Sequence, residues 1–544
     1  MAYLSTVLFA TVLSIMGIPI MKAVAVRVGV MDAPEPRKVH KAPVPKAGGV
    51  AMALATVSSV LIWAPLDRFL VSVIAGGLVI TAFGFLDDAR NLGYRAKFAG
   101  QIMAALIVML FGGLGISTLG MLLPGGAAVP ALVGWPLTLV CIVGVTNAVN
   151  LSDGLDGLAG GMGMMYFLCL AYLAHLAGDT GIIIISLALA GAIFGFLRYN
   201  THPASVFMGD AGSQFLGFVA ITCSIGLTQR NEALNSLLPL LLVGFPVLDT
   251  LTVMAERMAD GRSPFVADKN HFHHKLIRIG LSHSEAVVAM YGLQGVLVIL
   301  ALMFRYHGEG VVLGAYLALC ACVLTLFHMA HKHGYRIPRT RLLDNPLRRK
   351  LGAAVRSRKL AAILRSAAYR AAPVLLLITG LSAIAAPHYV AVMYLAFAVA
   401  VVAAGFACPD RACTTLRVFA FLAIPPMVVF GEISEVPWMS PGMHTVYNLS
   451  FGALLLLVVM SLRLGRESDG FEITPTDILI LSVALVVPNL PGLADERMGI
   501  AAAKIIVLFF TYKFLTEKES PGGRWLGWST SASLAVAGVA GLLV

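Results

Sequence analysis

Apolar runs of close to twenty residues recur from one end of this chain to the other, and no other feature limits its fold so strongly. A helix needs about twenty such residues to cross the hydrocarbon of a bilayer. Runs fall near residues 3–20, 50–64, 69–86, 98–116, 130–150, 158–177, 181–198, 213–228, 236–255, 285–304 and 311–330. That makes about eleven spans on the same length criterion, and about seven more follow between 372 and 544. Within lipid every backbone polar group must be satisfied internally, which leaves helices or a closed barrel. The short alternating strands of a barrel are not present in the pattern. The chain therefore reads as an all-α polytopic membrane protein. Composition agrees: 58% of the residues are hydrophobic, 12% are charged and the mean hydropathy is +0.87. A soluble domain is nearer half apolar and a quarter charged. The first run, Tyr3 to Ile20, is followed by Lys22 and Arg27 rather than by a small-residue cleavage site. It reads as a retained helix, not a signal peptide.

The net charge of +11 is no argument for nucleic acid, because Lys and Arg of membrane proteins gather in cytoplasmic loops. Three basic segments are expected there. Arg27–Lys46 carries Arg27, Arg37, Lys38, Lys41 and Lys46. Arg257–Arg278 carries Arg257, Arg262, Lys269, Lys275 and Arg278. His331–Arg370 holds twelve Lys and Arg against one acid, Asp344. With the N-terminus outside, alternation puts these loops on one face. The same face receives the acidic clusters described next.

The stretch Pro338–Arg370 divides the chain into a core (1–335), a basic segment (336–371) and an extension (372–544). In the basic segment Leu343, Leu347, Leu351, Ala354 and Val355 recur at helical spacing among arginines. This fits an amphipathic helix lying on anionic lipid, and also a plain cytoplasmic linker. The extension has Glu432 and Glu435 expected outside, and Arg463, Arg466 and Glu467 expected inside. It shows no catalytic constellation and is expected to be dispensable for the chemistry. The seven cysteines are scattered without a C-x-x-C pair, so neither a zinc site nor a disulfide framework is indicated.

Four polar clusters end apolar runs: FGFLDDARN (Phe83–Asn91), NAVNLSDGLDGLAGG (Asn147–Gly161), VFMGDAGSQFLG (Val206–Gly217) and ADKNHFHHKL (Ala267–Leu276). Carboxylates near a bilayer are costly, which makes them functional-site candidates. Adjacent Asp87 and Asp88 repel unless a cation or a shared proton relieves them. A divalent ion on carboxylates and substrate phosphates would do so, and a solvated helix end is the plainer alternative. Asn147, Asn150, Asp153 and Asp156 recur every three residues. That spacing keeps them on neighbouring helix positions, while Gly154 and Gly157 favour an unwound end. Asp210, flanked by Gly209 and Ala211, suits a metal ligand on a tight turn or the cap of the helix after it. His271, His273 and His274 sit among lysines, which favours contacts to phosphate over zinc and leaves a structural loop as the alternative.

Together these segments, with RKVHKAPVPKAGGVAM (Arg37–Met52), FGFLDDARNLGYRAKFAGQ (Phe83–Gln101) and GRSPFVADKNHFHHKL (Gly261–Leu276), resemble the polyprenyl-phosphate N-acetylhexosamine-1-phosphate transferases. The resemblance covers about residues 1–330, in family order and spacing, and nothing from 340 onward matches it. The H-x-H-H loop resembles the GlcNAc-1-phosphate branch more than phospho-MurNAc-pentapeptide translocase, whose histidine run is longer. The resemblance implies transfer of a sugar-1-phosphate from a UDP-N-acetylhexosamine to undecaprenyl or another polyprenyl phosphate, with release of UMP. This would be the first membrane step of cell-surface glycan synthesis. It implies Mg²⁺ or Mn²⁺, ligated by Asp210 with Asp87 and Asp88 close by, and Lys97 facing phosphate. It places Asn147, Asn150, Asp153 and Asp156 on the nucleotide side and His271, His273, His274 and Arg262 against the substrate. The implied setting is a bacterial cytoplasmic membrane, with the site on the cytoplasmic side and membrane lipid, UDP-sugar and polyprenyl phosphate as partners. A homodimer is compatible with it. Ala89, Arg90 and Asn91 stand where some members carry a further acid. The rival readings are a polytopic transporter, a CDP-alcohol type phosphotransferase (for which DGLDGLAGG lacks the Arg), a scaffold subunit, and the pentapeptide transferase of the same family.

Overall fold

Glycines set how closely the first helices cross. A Cβ built on Gly49 would lie 2.1 Å from the Gly212 amide nitrogen, and one on Gly84 would lie 2.5 Å from the Ala211 Cα. Only hydrogen side chains allow such contact, so three helices meet backbone to backbone around residues 209–212. The computed structural model describes residues 2–32, 43–263, 270–335, 358–407, 409–434, 436–464, 474–475, 477–479, 496–516 and 523–543. They form two compact units, one of residues 1–339 with 474–476, the other of 340–473 with 477–544.

The first unit is helical throughout: α1 (Ala2–Val28), α2 (Gly48–Trp63), α3 (Arg68–Arg90), α4 (Tyr94–Leu106), α5 (Ala131–Ser152), α6 (Leu158–Ala177), α7 (Thr180–Asn200), α8 (Gly209–Arg230), α9 (Leu238–Leu242), α10 (Gly244–Ala259), α11 (Phe272–Arg278), α12 (His283–Phe304) and α13 (Glu309–Lys332). Every span expected from the apolar runs has a helix. The ninth is two, because the chain breaks at Val243 between α9 and α10. A π-helical turn, Ile107–Phe111, extends α4. Among the described residues one small sheet pairs β1 (Met31–Asp32) with β2 (Val44–Pro45), antiparallel. Helix α8 is the hub, buried from Ala211 to Thr228. It packs on α2, α3 and α5, and α7 packs on α1, α2 and α6.

Alternation of direction is visible in the loops. At one end of the bundle Arg230, closing α8, meets Asp67 (3.4 Å) and Asp179 (2.9 Å), which cap α3 and α7 through the amides of Leu70 and Ile182. At the other end α3, α5 and α7 finish where α4, α6 and α8 begin. There the segment before α2 lies on the one before α8. Phe207 donates its amide to the Pro45 carbonyl (2.9 Å), while Gly48 and Gly49 donate to Phe207 (3.0 Å) and Met208 (2.9 Å). Gly49→Ala should force these strands apart, since the obstructing atoms are backbone. Overpacking of this kind costs about 1–3 kcal/mol. The expected result is a lower thermal unfolding midpoint in detergent; an unchanged midpoint would contradict the crossing.

The second unit contains α14 (Arg358–Ser382), α15 (His388–Ala407), α16 (Pro409–Ile433), α17 (Pro441–Leu464), α18 (Glu496–Thr516) and α19 (Gly523–Leu543). These are six of the roughly seven spans expected by the twenty-residue criterion, and most of 465–495 lies outside the described residues. Among the described residues of the two units fifteen helices are long and apolar enough to cross a membrane. The amphipathic positions Leu343 to Val355 also fall outside the description, as do Glu435, Arg466 and Glu467, while Arg463 lies near the end of α17. Glu432 is buried against Lys504.

Candidate active site

The end of the bundle where α3 and α5 finish and α4 and α8 start carries the carboxylates. Asp87 and Asp88 occupy the last turn of α3, a helix closed by Asn91 in the left-handed region (φ 48°). Just beyond it α4 presents Lys97, whose Nζ reaches Asp87 Oδ2 at 3.1 Å and also bonds Asp210 Oδ2. Asp210 lies inside the first turn of α8, one residue past Gly209 (φ 72°), so it belongs to the helix rather than to a turn or cap before it. Its Oδ1 accepts from Asn150 Nδ2 at 3.0 Å. Asn150 is held in the last turn of α5. Lys97 and Asn150 thus clasp one carboxylate from two sides.

Asp88 is differently engaged. Its Oδ2 accepts the Ala211 amide at 3.2 Å, an otherwise unpaired N–H in the first turn of α8. Its Oδ1 lies 3.7 Å from Lys46 Nζ, and Lys46 in turn lies 3.5 Å from Asp32. The closeness of Gly209, where a Cβ would fall 2.5 Å from Asp88 Oδ2, keeps this carboxylate against the helix start.

Helix α5 stops at Ser152, and Asp153 and Asp156 stand on the loop to α6, where the glycines favour an unwound end. Burial, then the neighbouring carboxylates of Asp210, Asp156 and Asp88, push Asp153 up to about 7. Five carboxylates (Asp32, Asp87, Asp88, Asp153, Asp210) gather with two ammonium groups (Lys46, Lys97), which leaves a formal charge of three negative. Oxygen donors with that residual charge fit a hard divalent cation.

The histidine segment packs on the same loop. A Cβ on Gly154 would fall 2.4 Å from His273 Cε1. His271 Nδ1 lies 2.9 Å from Asp249 Oδ2, and the Phe272 amide donates to Asp249 Oδ1 at 2.8 Å. Asp249, fully buried in α10, therefore anchors the start of α11. The His273 ring lies 4.1 Å from that of His274. Burial, then the neighbouring His274, His271 and His283, drives His273 down to about 3, so it is neutral at pH 7.

The remaining expected residues stand apart. Asn147, a turn before Asn150, makes no hydrogen bond among the described residues, and Arg262 pairs with its neighbour Asp260. The segments 33–42 and 264–269, including Arg37, Lys38, Lys41 and Lys269, lie outside the description. Reading the sequence did not single out Asp249, Lys46 as a partner of Asp88, or the pair His202 and His283. Asp249 had a signal: a lone carboxylate in the run LLLVGFPVLDTLTV. His202 and His283 sit with Asp156, the candidate ligand atoms all within 4.8 Å of one another. Their rings are stacked nearly parallel, 21° apart, which points lone pairs side by side rather than toward a shared ion. The carboxylate group suits a metal better. Among the described residues Cys141, Cys169, Cys223, Cys320 and Cys322 are free thiols.

Comparison with known proteins places this site. The family model described as Glycosyl transferase family 4 matches residues 70–228, which include the carboxylates and Lys97. The chain is 33% identical over 285 residues to the probable undecaprenyl-phosphate N-acetylglucosaminyl 1-phosphate transferase of Bacillus subtilis, covering 50% of this chain and 76% of that one. It is 34% identical over 304 residues to the decaprenyl-phosphate N-acetylglucosaminephosphotransferase of Mycolicibacterium smegmatis, covering 50% and 74%. With the undecaprenyl-phosphate alpha-N-acetylglucosaminyl 1-phosphate transferase of Escherichia coli K12 it shares 29% over 275 residues, covering 49% and 74%. Half of the chain has its counterpart in these relatives, two of them 33% and 34% identical and covered over about three quarters of their length; the chain belongs to the polyprenyl-phosphate N-acetylhexosamine-1-phosphate transferase family.

Proposed function

We propose that this protein transfers N-acetylglucosamine-1-phosphate from UDP-N-acetylglucosamine to a polyprenyl phosphate, releasing UMP, at the cytoplasmic face of a bacterial inner membrane. The observation that carries this reading is Lys97, clasped between Asp87 and Asp210 at the end of apolar helices, with Asn150 locking the second oxygen of Asp210. Phosphoryl transfer asks for positioning and charge neutralisation more than for covalent help. An oxygen of the polyprenyl phosphate attacks the sugar-proximal phosphorus, and the bond to the UMP oxygen breaks. With a second pKa near 6, the attacking phosphate is already mostly a dianion at pH 7 and needs no general base. Lys97, held by two carboxylates, offers its ammonium protons to phosphate oxygens in a fixed direction. Asp87 and Asp210, with Asp153 alongside, would hold Mg²⁺ or Mn²⁺, which supplies charge neutralisation on the diphosphate. Asp88 fixes the start of α8 and so the position of Asp210. His273 and His274 line the loop side, where an imidazole N–H can donate to phosphate. The chemistry is assigned to the first unit, with the second not required for it.

A transporter would keep its ionisable groups near mid-span in broken helices. Here Asp87, Asp88, Asp153 and Asp210 gather at helix ends. The test is to incubate the purified full-length protein with undecaprenyl phosphate, Mg²⁺ and a panel of UDP-sugars, and to weigh the lipid product. A polyprenyl-diphospho-N-acetylglucosamine with stoichiometric UMP is expected. No UMP from any donor would overturn the reading, and a product only from the UDP-MurNAc-pentapeptide would move the protein to that branch.

A further inference from the structure

Asp156 stands on the α5–α6 loop beside Asp153, and two elements remote in sequence hold it. Its Oδ2 accepts two hydrogen bonds, from His202 Nδ1 at 2.7 Å and from the Ala204 amide at 3.1 Å. Its Oδ1 accepts none among the described residues. A carboxylate only accepts, so His202 Nδ1 carries the proton and the tautomer of that ring is set. The ring of His283, the first residue of α12, lies on the His202 ring, with centroids 4.1 Å apart. The nitrogens of His283 are sealed from solvent and have no aligned partner among the described residues. His283 therefore serves through the face of its ring, as a support that fixes the plane of His202. The next loop residue, Gly157, is pinned as well: its amide donates to Asn200 Oδ1 (2.9 Å) and its carbonyl accepts from Tyr291 (2.6 Å). The loop is thus fastened at every polar atom named here except Asp156 Oδ1, which belongs to a side chain 17% exposed.

We propose that His202, supported by His283, is a positioning residue: it occupies Oδ2 of Asp156 so that Oδ1 is presented to a hydrogen-bond donor of the UDP-sugar. This rests on the transferase reading given above. A positioned carboxylate would act on binding of the nucleotide donor and not on the lipid substrate, whose phosphate must reach Lys97 from the membrane.

The test compares UMP release by full-length wild type, His202→Ala and His202→Asn, with each substrate varied in turn. Loss of a charge-assisted hydrogen bond should raise KM for the UDP-sugar about tenfold in His202→Ala, with a much smaller fall in kcat and an unmoved KM for polyprenyl phosphate. His202→Asn, whose amide can donate to the same oxygen, should recover most of the loss. On an Asp156→Ala background His202→Ala should do nothing further, because its effect runs through that carboxylate. An effect confined to kcat, equal rises in both KM values, no rescue by Asn or an additive loss on Asp156→Ala would each overturn the inference. Calorimetry with UMP and UDP-N-acetylglucosamine separates this from failure of the reaction itself. A wild type that binds nucleotide without turnover overturns the reaction but still reports the His202 effect as Kd. A wild type that binds neither overturns both.

Discussion

Asp210→Asn should remove about 10²–10³ of the rate of UMP release, the loss typical of deleting one preorganised electrostatic group. The substitution keeps shape: an amide oxygen can still accept from Asn150, so α5 and α8 stay joined. What disappears is the charge that orients Lys97 and would take part in holding a divalent cation. The protein should not become less stable. Asp210 crowds Asp153 and Asp88 in a buried pocket, and like charges brought together oppose folding. An unfolding midpoint in detergent equal to or above that of wild type is therefore expected, together with the loss of turnover. Stability lost for the sake of activity is the usual mark of a functional cluster. Activity within threefold of wild type, at equal protein level, would remove Asp210 from the reaction. Lower activity matched by a lower midpoint would make it a structural residue instead.

The site was legible in the sequence to the extent that its parts lie at helix ends. Asp87, Asp88, Asp153 and Asp210 stand out because each follows or opens an apolar run, where a charge has no folding purpose. Asn150 stands out by its spacing with Asn147, Asp153 and Asp156, Lys97 only by family resemblance, and the geometry then ties both to Asp210. Less could be read where the meaning of a residue depends on a partner far along the chain. Lys46 looked like one more cytoplasmic charge, yet it lies beside Asp88. Asp249 was hidden inside a run counted as a single span, and the break at Val243 was hidden with it. Apolarity measures whether a segment belongs in lipid and says nothing of whether its helix is continuous. His202 and His283 carry no local pattern at all, since they meet Asp156 only once α7 and α12 are folded against the α5–α6 loop. The close crossing of α2 and α8 was equally silent, because a glycine pair in an apolar run has many uses.

The second unit makes the other large prediction. Lys504 on α18 bonds Glu432 at the end of α16, and both are almost wholly buried, at 2% and 6% exposure. The ammonium also lies 3.9 Å from the Tyr447 ring centre and 5.2 Å from that of Phe451, both on α17. The Tyr447 hydroxyl meets Thr379 of α14 at 2.7 Å, so four helices share this one charge pair. Taking two charges out of water costs most of what their attraction returns, but leaving one of them behind is far worse. Lys504→Met strands Glu432 and should destabilise the unit by about 3–5 kcal/mol, whereas Glu432→Leu with Lys504→Met should come back to wild-type stability or slightly above it. The comparison is read from unfolding in detergent of the two single variants and the double. If all three are equally destabilised, the pair does not explain the packing of α16 and α18. If the double variant is as stable as wild type, the buried charges are not there for stability. UMP release by that double variant then decides between the units: unchanged turnover keeps the chemistry in the first unit, and lost turnover in a fully folded protein would mean that transfer depends on the second.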